Sequence, residues 1–320
     1  MAVYLFRRTA FLVVSLLLAM VVLFFLLRVL PGDPANALPS ASATPEQIAA
    51  ARQQVGSDLP LVQQFATWFG SLLTFDLGES FITSLPIGPE IASRLVVTVQ
   101  LTLLSFALAV GLALPIGFFA AWKADRWYGL ALSAFSQLGI AVPVFWVGIL
   151  LVGVFSIALR WFPSGGFPRD DWADPVAALG SLALPIATIA IVMSASISWY
   201  VRSATLDVIG SDYLRNARAL GSGFGRAMWR HGLRNGAAPV VSVLGIELAT
   251  AFLGAVVVES VFALPGLGSM LLRAIEQHDS PGIQGILFVS TLLVLVVGFL
   301  ADITQRLIDP RLRHSISGDR

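Results

Sequence analysis

Six long apolar stretches alternate with shorter polar segments along the chain. A helix needs about 20 mostly apolar residues to cross the hydrocarbon layer of a membrane, and each stretch reaches that length. Because lipid offers no partners to backbone polar groups, this pattern predicts an all-α membrane protein with six transmembrane helices. The stretches cover residues 9–30, 95–121, 130–159, 176–201, 239–264 and 283–303.

The polar segment between the first two stretches, residues 31–94, contains two shorter helical patterns. Thr44-Pro45-Glu46-Gln47 has the form of a capping box, and Gly56 marks an end, which predicts a helix near 45–55. The segment would form an extracytoplasmic cap that either docks a soluble partner or only seals the bundle. A second, amphipathic helix is predicted on the outer membrane face or the bundle rim by the spacing of Val62, Phe65, Trp68, Phe69 and Leu72.

The first stretch shares two features with a secretory leader. It follows Arg7 and Arg8, and it precedes a cleavage-like Ala35-Asn36-Ala37. It is longer than the 7–15 apolar residues typical of a leader. We therefore expect an uncleaved transmembrane helix.

Prolines interrupt the second, third and fourth stretches at Pro115, Pro143 and Pro185. A proline removes a backbone hydrogen bond and bends a helix, but prolines are also common in membrane helices. The pattern predicts bends without assigning any of them to a gate.

The composition agrees with a membrane protein and excludes several other classes. Hydrophobic residues make up 57% of the chain and charged residues 12%, with a mean hydropathy of +0.83. This is too little charge for a typical soluble or disordered protein. A net charge of +1 and a single lysine, Lys123, argue against nucleic-acid binding. Cysteine is absent, which excludes disulfides and thiol chemistry.

The basic residues are unequally distributed between the segments that join the stretches. Most of the 20 lysines and arginines fall on one side if both ends of the chain lie in the cytoplasm. Because cytoplasmic segments are rich in these residues, we predict an N-in/C-in topology. That side holds Arg7, Arg8, Lys123, Arg126, the arginines of residues 202–238, Arg306, Arg311, Arg313 and Arg320.

The segment 202–238 has the most ordered pattern outside the apolar stretches. Ser211 or Asp212 can cap a short helix, and Gly221-Ser222-Gly223 would end it. The segment thus predicts a helix, a glycine turn and a second amphipathic helix below the membrane. A basic loop lying on anionic lipid is an equal alternative. The apolar positions are Tyr213, Leu214, Ala217 and Leu220 in the first helix, and Phe224, Ala227, Met228 and Leu233 in the second.

Two runs in this segment carry a family resemblance: Asn216-Ala217-Arg218-Ala219-Leu220-Gly221, and Arg230-His231-Gly232-Leu233-Arg234-Asn235 followed by Pro239. They resemble the EAA loop of bacterial ABC importer permeases, above all the dipeptide, oligopeptide and nickel branch. Of the family's Glu-Ala-Ala only Ala217 matches, and Arg234 stands where the family has proline. The peptide branch departs from the general motif in the same way.

Five further segments match the same family in order along the chain. With them the chain resembles a type I ABC importer permease, of the B-type that is the first of a pair. The segments are Leu30-Pro31-Gly32-Asp33-Pro34, Asp76-Leu77-Gly78-Glu79-Ser80, Pro143-Val144-Phe145-Trp146, 259–268 and Asp309-Pro310-Arg311-Leu312-Arg313.

The resemblance implies a set of partners besides membrane lipid. A second, homologous permease of the C-type would complete the pathway, two cytoplasmic ABC ATPase subunits would dock on the loops, and an extracytoplasmic substrate-binding protein would deliver substrate. It also implies three parts: a first helix with an extracytoplasmic segment (1–93), a five-helix core with the coupling loop (94–306), and a cytoplasmic tail (307–320). ATPase docking and coupling would fall on Tyr213, Ala217, Arg218, Ala219, Gly221 and Arg230.

The sequence lacks the common motifs of an enzyme. It has no Gly-x4-Gly-Lys-Ser/Thr, so ATP would be hydrolysed by separate subunits. It has no His-Glu-x-x-His and no Gly-x-Ser-x-Gly, and its three histidines fall in predicted loops or the tail. We expect no catalytic residue, no metal site and no cofactor.

Glu247 is the acidic residue that falls in the middle of an apolar stretch. A charge there costs on the order of 2.5–3.5 kcal/mol on insertion scales. Glu247 should therefore face the pathway or a partner, or be a protonated or hydrogen-bonded structural residue, with Ser242 and Thr250 within helical range. Gln137 and Trp146 either line the pathway or contact neighbouring helices.

The predicted function is that of a permease subunit in an ATP-driven, binding-protein-dependent importer. It would form half of the translocation pathway for di- or oligopeptides across the inner membrane. An importer of nickel or another small solute is the alternative within this architecture. An ion-driven secondary transporter would need paired intramembrane charges, and a membrane-bound hydrolase would need a catalytic set.

Overall fold

A computed structural model describes residues 2–29, 59–168 and 172–308. Its regular elements within these ranges are all helices, in agreement with the predicted all-α class. Helix α1 spans Ala2–Val29, α2 Leu61–Leu73, α3 Ile87–Trp122, α4 Trp127–Ala141, α5 Val144–Leu151 with a π-helical end at Val152–Ala158, and α6 Pro175–Ile209. Helix α7 spans Asp212–Ala219, α8 Phe224–Ala227 with a π-helical turn at Met228–Gly232, α9 Leu233–Val261, α10 Leu267–Glu276 and α11 Ser280–Ile308.

Five helices in the described ranges are long and apolar enough to cross a membrane, and the bent pair α4–α5 makes up to six. They coincide with the six predicted stretches, although several extend further than predicted. Helix α6, for example, begins earlier because Pro175 occupies its first turn and Asp174 accepts hydrogen bonds from Val176 N and Ala177 N.

The third stretch, 130–159, bends at its proline as predicted, and the bend is sharp enough to divide the stretch into two helices. Helices α4 and α5 meet at 106° across Val142 and Pro143. Proline lacks the N–H that would continue the helix, and it disfavours helical backbone in the preceding residue, so Val142 is extended. In contrast, α3 and α6 continue through Pro115 and Pro185.

The chain divides into two compact units. The first comprises 99–264 and the region from 296 onward. Its core is built on α3, α6 and α9, and many of its buried residues are small, which lets helices approach closely. A Cβ atom at Gly117 of α3 would lie 2.6 Å from Ser198 O and from Val201 Cβ of α6, so glycine is required there.

The second unit comprises 2–98 and 265–295. The predicted amphipathic helix is present as α2, and it packs on α1. Phe24 of α1 is buried, with ring centroids 5.3 Å from Phe65 and 5.7 Å from Trp68. The helix predicted near 45–55 lies outside the described residues.

Ser80, the last residue of the segment 76–80 that the sequence singled out, takes part in a hydrogen-bonded junction in this unit. Ser80 Oγ donates to Asp279 Oδ2 at 2.7 Å, and Phe81 N donates to Asp279 Oδ1 at 3.1 Å. The Asp279 side chain is buried, and its main-chain oxygen accepts from Ile283 N in the first turn of α11. The junction therefore ties the segment before α3 to the start of α11.

Candidate functional site

The predicted helix and glycine turn are present in the segment 202–238. Helix α7 ends at a turn in which Gly221 has φ +88°, the left-handed region that favours glycine. Gly221 N donates to Arg218 O at 3.0 Å, and Ser222 N donates to Ala217 O at 3.1 Å. These two bonds form a Schellman motif, which satisfies carbonyls at the end of the helix. We call α7, this turn and α8 together, residues 212–227, the knob.

The predicted side-chain cap of α7 is wrong. Ser211 occupies the capping position, but its hydroxyl donates to Val208 O at 2.6 Å, which directs it away from α7. Asp212 instead accepts from Arg215 at 2.7 Å in an exposed pair within the first turn. Such exposed pairs contribute little to stability.

The second half of the knob also differs from the prediction. Helix α8 has only four residues and continues through the π-helical turn 228–232 directly into α9. Gly232 keeps helical backbone angles at this junction, with φ −70° and ψ −54°, and α9 continues through Pro239. The second amphipathic piece is therefore the beginning of a transmembrane helix rather than a separate element.

A small apolar core holds the knob against the end of α6. Leu214 of α7 and Ala227 of α8 are buried together with Val208 and Met228. The sequence prediction placed Leu220 on the same face, but the side chain of Leu220 is 88% exposed. It lies beyond the last turn of α7, where the chain reverses.

An aromatic stack joins the knob to the end of α3. The rings of Trp122 and Phe224 are parallel to within 9°, with centroids 5.7 Å apart. Lys123 Nζ lies 4.3 Å from the Trp122 ring centroid, and the Arg218 guanidinium lies 5.9 Å from that of Phe224. Such cation–π contacts are attractive. The sequence pattern did not identify this stack, because Trp122 and Phe224 are far apart in the chain.

Most of the predicted docking residues are exposed. Tyr213, Arg218, Ala219, Gly221 and Arg230 lie on the surface, whereas Ala217 is half-buried over the small core. A shallow, open depression of about 440 Å³ lies at the turn. Trp229, which the sequence pattern did not single out, is 78% exposed in the π-helical turn that follows α8. The depression is lined by Arg215, Arg218, Gly221, Ser222, Gly223 and Phe224.

The carboxylate of Glu247 is hydrogen-bonded to a neighbouring helix. Ser196 Oγ of α6 donates to Glu247 Oε1 at 2.6 Å, and the Glu247 side chain is half-buried. Thr250, an expected partner, donates to the main-chain oxygen of Glu247 and not to its carboxylate. Ser196 lies 51 residues away in sequence, and no local pattern indicated it.

The other predicted pathway positions are exposed on this chain. Gln137 on α4 and Trp146 on α5 both face outward, and Trp146 is 57% exposed. In the described part of the chain, the hydrogen bond to the Glu247 carboxylate comes from Ser196 rather than from either of these residues. In the same ranges, no group of three or more His, Cys, Asp or Glu residues is arranged to hold a metal ion.

Comparison with known proteins matches this chain to one family along nearly its full length. The family described as "binding-protein-dependent transport system inner membrane component" matches residues 113–314, and the N-terminal part of such membrane components matches residues 1–102.

Three relatives cover almost all of the chain. A putative peptide transport system permease of Brucella abortus (strain 2308) is 36% identical over 98% of this chain and 100% of its own length. A probable peptide ABC transporter permease of Sinorhizobium fredii is 33% identical over 98% of this chain and 100% of its own length. A glutathione transport system permease of Escherichia coli O6:H1 is 33% identical over 97% of this chain and 99% of its own length.

A solved structure shares the fold at low sequence identity. It is the crystal structure of an amino acid ABC transporter with histidines. The match has a TM-score of 0.53 and 17% identity, and it covers 68% of this chain and 94% of the other. It supports the helical architecture described above.

Proposed function

The chain belongs to the inner-membrane components of binding-protein-dependent transport systems, and it is a multi-pass permease of the ABC importer type. We propose that it forms half of the pathway by which peptides cross the inner membrane. The observation that carries this proposal is the 36% identity to a putative peptide permease over 98% of this chain and the whole of that relative. The glutathione permease is similar over nearly its full length, and glutathione is itself a small peptide.

The knob is the proposed docking surface for the ATPase subunits. It projects Tyr213, Arg218 and Gly221 toward solvent while its apolar side is anchored on α6. An anchored, solvent-facing element can transmit a push from a partner to the helices on which it rests. Because α8 runs directly into α9, movement of the knob would be passed to a membrane helix without an intervening loop.

The remaining partners follow from the proposed function. A second, C-type permease would complete the pathway, and an extracytoplasmic binding protein would deliver the peptide. We propose six membrane spans with both ends in the cytoplasm. The first span and the extracytoplasmic segment occupy 1–93, the five-helix core with its coupling loop at 202–238 occupies 94–306, and the cytoplasmic tail occupies 307–320. Gln137 and Trp146 are proposed to face the second permease or the pathway, because both are exposed on this chain.

Reconstitution of the complete importer tests the proposed function. The chain would be purified with its second permease and ATPases, placed in proteoliposomes, and supplied with its binding protein. We expect ATP-dependent uptake of di- or tripeptides, with no uptake of nickel under the same conditions. Uptake of nickel without uptake of any peptide would contradict the proposal and favour the alternative substrate.

A further inference from the structure

The half-buried carboxylate of Glu247 needs a polar environment on its open side, the side that this chain does not cover. Glu247 lies in the middle of Pro239–Val261, the part of α9 that is apolar enough to span the membrane. An ionised carboxylate that faces lipid at this depth is costly. The open side of this carboxylate therefore faces either the pathway or another subunit.

Ser196 holds this carboxylate in one orientation. Its hydroxyl donates to Oε1 at 2.6 Å. No described residue donates a hydrogen bond to Oε2. One carboxylate oxygen is thus fixed by α6, while the other remains available to a donor that is not part of the described chain.

Two aromatic residues follow Ser196 on the same side of α6. Trp199 and Tyr200 stand three and four positions after it, which places them about one helical turn along the same face. Both are exposed on this chain, and their rings meet edge to face with centroids 4.9 Å apart. Aromatic ring faces attract organic cations.

We propose that Glu247, Ser196, Trp199 and Tyr200 form a site for the α-ammonium group of a peptide inside the pathway. The proposal rests on peptide transport, the function proposed above. An ammonium group carries three N–H donors and can bond to Oε2 while it lies against the aromatic rings. A bare inorganic cation such as Ca²⁺ takes 6–8 oxygen ligands, whereas this cluster offers only the side-chain oxygens of Glu247, Ser196 and Tyr200. The site therefore selects a free amino terminus.

A binding assay on the complete importer tests this site. The two permeases and the ATPases, without the binding protein, would be placed in lipid nanodiscs and titrated with trialanine and with N-acetyl-trialanine. Wild type should bind trialanine at least about tenfold more tightly than N-acetyl-trialanine, the factor expected for one hydrogen bond to a charged group.

Glu247→Gln should reduce that preference to less than about twofold and leave binding of the acetylated peptide unchanged. Trp199→Ala should weaken trialanine about threefold, as a cation–π contact predicts.

Glu276→Gln is the matched control, because it removes an exposed carboxylate at the end of α10 outside the cluster. It should keep the wild-type preference. Equal binding of the two peptides by wild type, no binding up to millimolar concentrations, or a full preference in Glu247→Gln would each overturn the site. Loss of the second permease from the purified Glu247→Gln complex would also overturn it, because the carboxylate would then be a subunit contact. Uptake of trialanine by wild-type proteoliposomes reports separately on the proposed function.

Discussion

Gly221 shows how much one backbone angle can decide at the residue scale. Its φ of +88° allows the chain to leave α7 and enter α8. A side chain there costs roughly 1–2 kcal/mol in this conformation, although a Cβ atom would meet nothing within 4 Å. Backbone conformation rather than space therefore requires glycine, which is why the motif in the sequence was sufficient to identify this turn.

Replacement of Gly221 by valine should uncouple ATP hydrolysis from transport. The strained turn would move α8 and the stacked Phe224 relative to α7, while the buried membrane helices stay as they are. Peptide uptake by the reconstituted importer should fall at least about tenfold, the factor that 1.4 kcal/mol represents, and ATP hydrolysis should persist.

Gly111→Val is the control for this experiment and should keep wild-type coupling. Gly111 lies in α3, outside the knob, and a Cβ atom there would meet nothing within 4 Å. Wild-type coupling in Gly221→Val, with normal assembly of the complex, would refute the coupling role of the turn.

At the scale of elements, local patterns predicted where helices form better than how they join. The apolar stretches and the amphipathic spacing of Phe65 and Trp68 correctly predicted membrane helices and α2. The same patterns did not show that α4 and α5 meet at 106° or that α8 runs into α9. A proline such as Pro143 permits a sharp break, but Pro115 and Pro185 lie inside continuous helices. Packing against neighbours decides between these outcomes.

The close approach of α3 to α6 predicts a difference between two glycines of the same helix. Gly117→Ala should destabilise the chain by about 1–3 kcal/mol, the usual effect of overpacking, because its new methyl group would meet Ser198 O and Val201 at 2.6 Å. Gly111→Ala should not destabilise the chain, because a Cβ atom at Gly111 would have no other atom within 4 Å. Thermal unfolding of the purified variants in detergent compares them, and equal melting temperatures would contradict this packing.

At the scale of the whole molecule, the hydropathy and the distribution of charge both indicate a membrane protein. The scarce charge accounts for the predicted orientation, because basic residues are concentrated in the segments assigned to the cytoplasm. The family match agrees with a multi-pass inner-membrane protein. The orientation itself is a prediction that labelling can test.

Because the chain has no cysteine, single introduced cysteines report on topology without background. Asp125 follows α3, Ser164 follows α5, and both are exposed. A membrane-impermeant maleimide added to spheroplasts should label Ser164→Cys and should label Asp125→Cys only after the membrane is opened. The reverse pattern would show that both ends of the chain lie outside the cytoplasm.

The sequence by itself determined the all-α class, the approximate positions of the membrane helices and the turn at Gly221. These features depend on neighbouring residues, because lipid requires long apolar helices and a positive φ requires glycine. Only the tertiary structure decided that Ser196 bonds to Glu247 and that Trp122 stacks on Phe224. These contacts join residues that are distant in the chain, and they form only when whole helices pack side by side.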